Sequence, residues 1–132
     1  MCSSEEVLTP EGTLTLQLPA TNRDTNNFGD IHGGWLSTQM VLAAETRAAQ
    51  VAKGRIATVY IGPIEFVSPV LVGTLLSFYT DIIETGTSSL KIKIDVWGRC
   101  PDGGEFRKIT ETETVQVAIE PDGRIRTVPC QL

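Results

Sequence analysis

A chain of 132 residues is long enough for one well-buried core and too short for two, and its 41% hydrophobic and 20% charged residues place it among globular rather than disordered sequences. No apolar run approaches the ~18 residues that span a bilayer, which argues against a membrane protein. Eleven Lys and Arg against sixteen Asp and Glu leave a net charge of -5, a field that repels nucleic-acid backbones and anionic lipid.

Leu14, Leu16 and Leu18 alternate with Thr13, Thr15 and Gln17, the period of a half-buried strand, and Pro19 ends it. Residues 20–34 then gather Asn22, Asp24, Asn26, Asn27, Gly29, Asp30, Gly33 and Gly34, turn formers that predict an irregular loop with many exposed backbone amides. From 35 to 53 the chain holds no Gly or Pro and is rich in alanine, and Gly54 stands where a C-cap glycine belongs, so a helix of about five turns is expected. Leu36, Met40, Val41, Ala44, Ala48, Val51 and Ala52 share one arc of that helix, with Gln39, Thr46, Gln50 and Lys53 opposite. Arg47 falls inside the apolar arc, and nothing in the sequence explains it. The alanines imply that a sheet approaches this helix closely.

Beyond Gly54, β-rich runs at 56–70, 74–84, 88–100 and 106–120 are separated by Gly73, Gly86 and the turn Pro101-Asp102-Gly103-Gly104, the pattern of a four-stranded antiparallel meander. Leu90, Ile92, Ile94 and Val96 alternate with Lys91, Lys93, Asp95 and Trp97, and Val115, Val117 and Ile119 with Thr114, Gln116 and Ala118. One apolar face therefore needs a cover. The expected fold is α+β, an antiparallel sheet wrapped around one long central helix. It forms a single domain over 1–132, with 1–12 and 129–132 as flexible ends.

Cys2, Cys100 and Cys130 are an odd number far apart, and the chain opens without a basic or apolar targeting region, which fits a reducing cytoplasm. With His32 the only histidine and no Cys-x-x-Cys spacing, neither a metal nor another cofactor is expected. Gly-x-Ser-x-Gly and the phosphate-binding Gly-x4-Gly-Lys motif are absent.

The strongest site signal is Asn26-Asn27-Phe28-Gly29-Asp30-Ile31-His32-Gly33-Gly34-Trp35, which runs into the helix start. A helix N-terminus leaves N–H donors unpaired and carries about half a positive charge, and glycines let a ligand approach that backbone. A thioester oxygen gaining charge under attack would be stabilised there by roughly 3 kcal/mol per donor.

Asn26-x-x-Gly29-x-Ile31-His32-Gly33-Gly34 is followed by the long helix, then by Gly54-Arg55-Ile56-Ala57-Thr58-Val59, Phe66-x-x-Pro69-Val70-x-Val72-Gly73 and Gly86-Thr87-Ser88-Ser89. In that order, over about residues 22–129, these motifs resemble a hotdog-fold acyl-CoA thioesterase of the YciA type with PaaI-like features. The resemblance implies a dimer, often assembled further into tetramers or hexamers, with active sites between subunits. It also implies Gly33 as oxyanion donor with Gly34 beside it, Asn26 positioning the attacking water or carboxylate, and His32 contacting the carbonyl or orienting the loop. Thr58 would offer a hydroxyl to the opposite subunit's site, and Arg55 and Ser88 would help hold the substrate.

Such enzymes place an acid on the helix nine residues after the His32 position, and here that residue is Val41, which neither takes a proton nor attacks a carbonyl. Glu45, one turn on, is the first substitute, although a turn is about 5.4 Å. Asp30 is a second substitute, or else a partner of the helix dipole, and His32 is a third candidate base. The expected activity is hydrolysis of acyl-CoA to free acid and CoA, and the alternative is a hotdog protein that binds acyl-CoA without hydrolysis. Lys53, Arg55, Lys91, Lys93 and Arg99 offer charge for CoA phosphates or form a solvated face. Trp35 and Trp97 read as packing residues.

Overall fold

The computed structural model describes residues 9–67 and 69–129. Strands β1 (Thr13–Pro19), β2 (Ile56–Ile61), β3 (Leu75–Thr85), β4 (Ser89–Arg99) and β5 (Phe106–Ala118) form one sheet in the order β1-β3-β4-β5-β2, every pairing antiparallel. Helix α1 (Gly33–Ala52) packs on one face and touches all five strands. This is the expected α+β arrangement of a sheet wrapped around one helix. Among the described residues no helix is long and apolar enough to cross a membrane.

The meander holds for three strands rather than four. β3, β4 and β5 follow one another through short turns, whereas the run at 56–70 stays a strand only to Ile61 and lies on the far edge, paired with β5. Pro63 and Pro69, which lack an amide donor, lie in the irregular segment that carries the chain back across to β3.

The helix begins two residues earlier than expected, and its left-handed C-cap is Lys53 (φ 56°, ψ 45°) rather than Gly54. Leu36, Met40, Ala43, Ala44, Ala48 and Ala52 are buried against the sheet. The small alanine side chains let the helix lie close to Phe78, Ile92, Ile94 and Val96, which are fully buried in the same core. Val41 and Arg47 are half-buried at its margins.

On β5 the expected faces are reversed. Register places Val96 opposite Thr110, Ile94 opposite Thr112, Ile92 opposite Thr114 and Leu90 opposite Gln116, so the polar residues of β5 turn toward the helix. Thr114 and Gln116 are fully buried, while Val115 and Val117 are half-buried on the other face. Alternation fixes which residues share a face but not which face is inward, and threonine suits a strand as well as valine. Burying an amide and hydroxyls is tolerable only when they are hydrogen-bonded, which makes this stripe a place to look for partners.

The outer face of the sheet is a charge lattice. Lys91 pairs with Glu113 (3.5 Å), Lys93 with Glu11 (2.6 Å) and Glu111 (3.8 Å), and Lys108 with Asp95 (3.4 Å) and Glu111. Lys91 and Lys93 are thus matched by carboxylates rather than presented as an anion patch. Arg99 donates to the Gly104 carbonyl and lies 5.0 Å over Phe106, on which Trp97 stacks at 5.2 Å. Glu11 is also tied by its amide to Asp95 Oδ2 (3.1 Å). Of the expected flexible ends, 1–8 and 130–132 lie outside the described residues.

Candidate active site

The loop between β1 and α1 is pinned at both sides. Ile31 N–H donates to the Val70 carbonyl (3.1 Å), His32 N–H to the Asp24 carbonyl (2.6 Å), and Thr25 bridges to Ile31. Asn26 closes the turn between them. Its Oδ1 accepts from the amides of Phe28 (2.8 Å) and Asp30 (3.2 Å), and its own amide donates to the Asp30 carbonyl (2.7 Å). With Oδ1 committed, Asn26 has only its Nδ2 hydrogens to offer, so it can hold a carbonyl or a water oxygen but cannot take a proton.

His32 is the N-cap of α1, and its Nδ1 accepts from Gly34 N–H (2.9 Å) and Trp35 N–H (3.4 Å). The ring can fold over the helix end because residue 34 has no side chain: a Cβ there would stand 2.7 Å from His32 Cε1. Nδ1 as acceptor leaves the proton of the neutral ring on Nε2, so the exposed edge of His32 is a donor. His32→Ala is expected to cost about 1 kcal/mol of stability, as other lost N-caps do, and His32→Asn to recover most of it. A thermal melt of the two variants checks this.

The two glycines have different tasks. Gly34 N–H is taken by His32, while Gly33 N–H has no acceptor among the described residues. Gly33 lines a cleft of about 320 Å3 with Asn26, Asp30, Leu36, Phe66 and Pro69. Asp30 lines this cleft, and its carboxylate has no hydrogen-bond partner among the described residues. It does not cap the helix, since His32 does.

Val41 and Glu45 line a second, mainly apolar cleft of about 420 Å3 with Thr38, Leu42, Ile61 and Ile64. Glu45 is half-buried and its Oε2 accepts the Thr58 hydroxyl at 2.8 Å, a bond from β2 to the helix. Along the axis, eight residues separate Gly33 from Val41 and twelve separate it from Glu45, distances of about 12 and 18 Å. A side chain leaning back toward the helix N-terminus recovers only part of that.

Arg55 and Ser88 lie toward the other end of the helix, on either side of the end of β5. Arg55 Nη1 donates to the Pro121 carbonyl (2.7 Å), while Ile119 N–H donates to the Arg55 carbonyl and Ala118 N–H to the Ser88 carbonyl. The structure thus gathers Asn26, Asp30, His32, Gly33 and Gly34 at one place, and Val41, Glu45 and Thr58 at another. Arg55 and Ser88 join neither of these, and lie about 30 Å along the helix from the first, with β5 between them. Sequence reasoning passed over Phe66 as a wall of the first cleft, although it lay in a quoted motif. It also passed over Gln116, whose inward position depends on the register of β5.

Residues 28–99 match the family model of the thioesterase superfamily. The acyl-CoA thioester hydrolase YciA of Salmonella typhimurium is 39% identical over 126 residues, covering 93% of this chain and 95% of that protein. The YciA of Escherichia coli K12 is 37% identical over 125 residues, 92% and 95% of the two chains. Among solved structures, the hexameric thioesterase y2039 of Yersinia pestis superposes with a TM-score of 0.88 at 37% identity, covering 93% of this chain and all (100%) of that one. HI0827, a hexameric broad-specificity acyl-coenzyme A thioesterase, superposes with a TM-score of 0.88 at 35% identity, over 94% and 86%. It has also been solved as a mutant enzyme with an aspartate replaced by alanine, with a TM-score of 0.87.

Proposed function

The chain belongs to the thioesterase superfamily and has its hotdog fold, and from that premise we propose that it hydrolyses acyl-CoA thioesters to free acid and CoA. The observation that carries this reading is the Gly33 amide, a helix N-terminal donor with no acceptor among the described residues that opens on a cleft. A thioester carbonyl seated there receives Gly33 N–H, with His32 Nε2–H and Asn26 Nδ2–H as further donors to the carbonyl or to water. All three hold fixed positions before charge develops, which is what makes such donors effective.

A carboxylate takes the proton of the attacking water as its oxygen bonds to the carbonyl carbon. The carbon–sulfur bond then breaks and the thiolate is protonated as CoA leaves. Glu45 is the carboxylate favoured here, because Thr58 holds it in the cleft that Val41 shares. It cannot serve the Gly33 of its own chain across about 18 Å, so the site needs a second copy whose helix runs the opposite way. The β2 edge supports this: Val59, Tyr60 and Ile61 are 60, 51 and 48% exposed on an edge strand beside that cleft, whose outer side has no partner strand among the described residues, a surface that invites pairing. Sedimentation is expected to show a dimer or a multiple such as the hexamer of the relatives, and a stable monomer at micromolar concentration would remove the shared site. The odd cysteine count, with Cys100 a free thiol, supports a reducing cytoplasm as the working compartment.

Thiol release from a panel of acyl-CoAs tests the activity. Turnover with a preference among acyl chains is the expected result. Saturable binding without thiol release would overturn it.

A further inference from the structure

Thr58 Oγ1 lies 2.8 Å from Glu45 Oε2 and 2.8 Å from Gln116 Oε1. A hydroxyl has one proton and cannot donate to both oxygens. An ionised Glu45, which is what a base must be, only accepts, so Thr58 gives its proton to Glu45 and must itself receive a donor from Gln116. The two ends of a glutamine amide are nearly equal in size, and the surrounding network decides which faces which. With Nε2 turned to Thr58, the Gln116 oxygen faces Thr114 Oγ1 (3.2 Å), and that hydroxyl becomes its donor. Every bond then has one donor and one acceptor, in a single direction: Thr114 to Gln116 to Thr58 to Glu45.

The cost of this arrangement argues against an incidental contact. Gln116 and Thr114 are both 0% exposed, on the inward face of β5 where β4 opposite carries Leu90 and Ile92. Leucine or methionine would fill the same space without desolvating an amide. The chain ends at the one carboxylate of the Val41 cleft and binds only one of its oxygens, leaving Oε1 without a partner among the described residues.

Resting on the reading of Glu45 as base, we propose that Gln116 is a positioning residue for thioester hydrolysis. It orients the Thr58 hydroxyl, which holds one oxygen of the ionised Glu45 and leaves the other turned to the substrate.

The test is steady-state kinetics on the full-length chain with the best acyl-CoA of the panel. Gln116→Met and Thr58→Val are each expected to lower kcat about tenfold or more with KM unchanged, since each removes a hydrogen bond that acts on a charged group. Thr58→Ser, which keeps the hydroxyl, is expected to retain kcat within about twofold. Adding Gln116→Met to Glu45→Gln is expected to cause no further loss, because a residue acting through Glu45 has nothing left to position. An undiminished kcat in Gln116→Met, or the same loss in both backgrounds, overturns the proposal while leaving Glu45 as base. An undiminished kcat in Glu45→Gln alone overturns the reading of Glu45 and the proposal with it. Should Gln116→Met fail to fold, the contrast between Thr58→Val and Thr58→Ser decides, and equal kcat in those two overturns the relay.

Discussion

Gly33→Val is expected to lower kcat/KM by about 10²- to 10³-fold, the usual effect of losing one oxyanion donor, in a chain that still folds. Residue 33 opens the helix with ordinary backbone angles rather than a left-handed one, so a side chain there meets no backbone strain. A Cβ at this position would meet Phe66 Cε2 at 3.3 Å, and Phe66 is itself 42% exposed and has room to yield. The branched methyls of valine would instead fill the approach to the amide. Gly33→Ala is therefore expected to give a smaller loss, and melting curves of both variants are expected to stay near that of the parent chain. Full turnover in a folded Gly33→Val chain would show that the carbonyl does not sit at the helix start.

The helix start was legible in the sequence because local chemistry sets it. Two glycines after a histidine, ahead of a Gly-free and Pro-free run, point to an amide-rich helix end, and the structure has one. The division of labour between Gly33 and Gly34 was not legible, since it depends on the His32 ring folding back over residue 34. The faces of β5 were misread for a different reason: a period of two is blind to a whole-strand flip, and only pairing with β4 sets it. That one misreading hid Gln116. Arg55 and Ser88 were named beside the loop residues because sequence motifs carry no distance, and a helix of 20 residues holds them apart. Glu45 was named correctly as a neighbour of Val41, because two residues one turn apart on a helix share a face whatever the rest of the chain does.

The pair Val41→Asp and Glu45→Gln separates an enzyme with a displaced acid from one that has lost its acid. If Glu45 is the base, Glu45→Gln is expected to reduce kcat by about 10²- to 10⁴-fold, the contribution of general acid–base catalysis. In that variant Val41→Asp restores a carboxylate to the same cleft, one turn nearer the helix start, and kcat is expected to recover in part. In the parent chain the same Val41→Asp is expected to bring little gain, because two carboxylates four residues apart on a helix repel each other and compete for one water. The alternative makes the opposite forecast. Were Glu45 only a helix–sheet tether through Thr58, Glu45→Gln would keep the bond to that hydroxyl and change kcat little, while Val41→Asp alone would raise kcat steeply. Val41 sits half-buried among Leu42, Ile61 and Ile64 on an open cleft, so the new carboxylate has water on one side and is expected to fold in place. A fall in Glu45→Gln, little change in Val41→Asp and recovery in the double variant assign the base to this helix face. Unchanged turnover in all three would move it to the first cleft, where Asp30 stands beside Gly33 and Asp30→Asn becomes the decisive substitution.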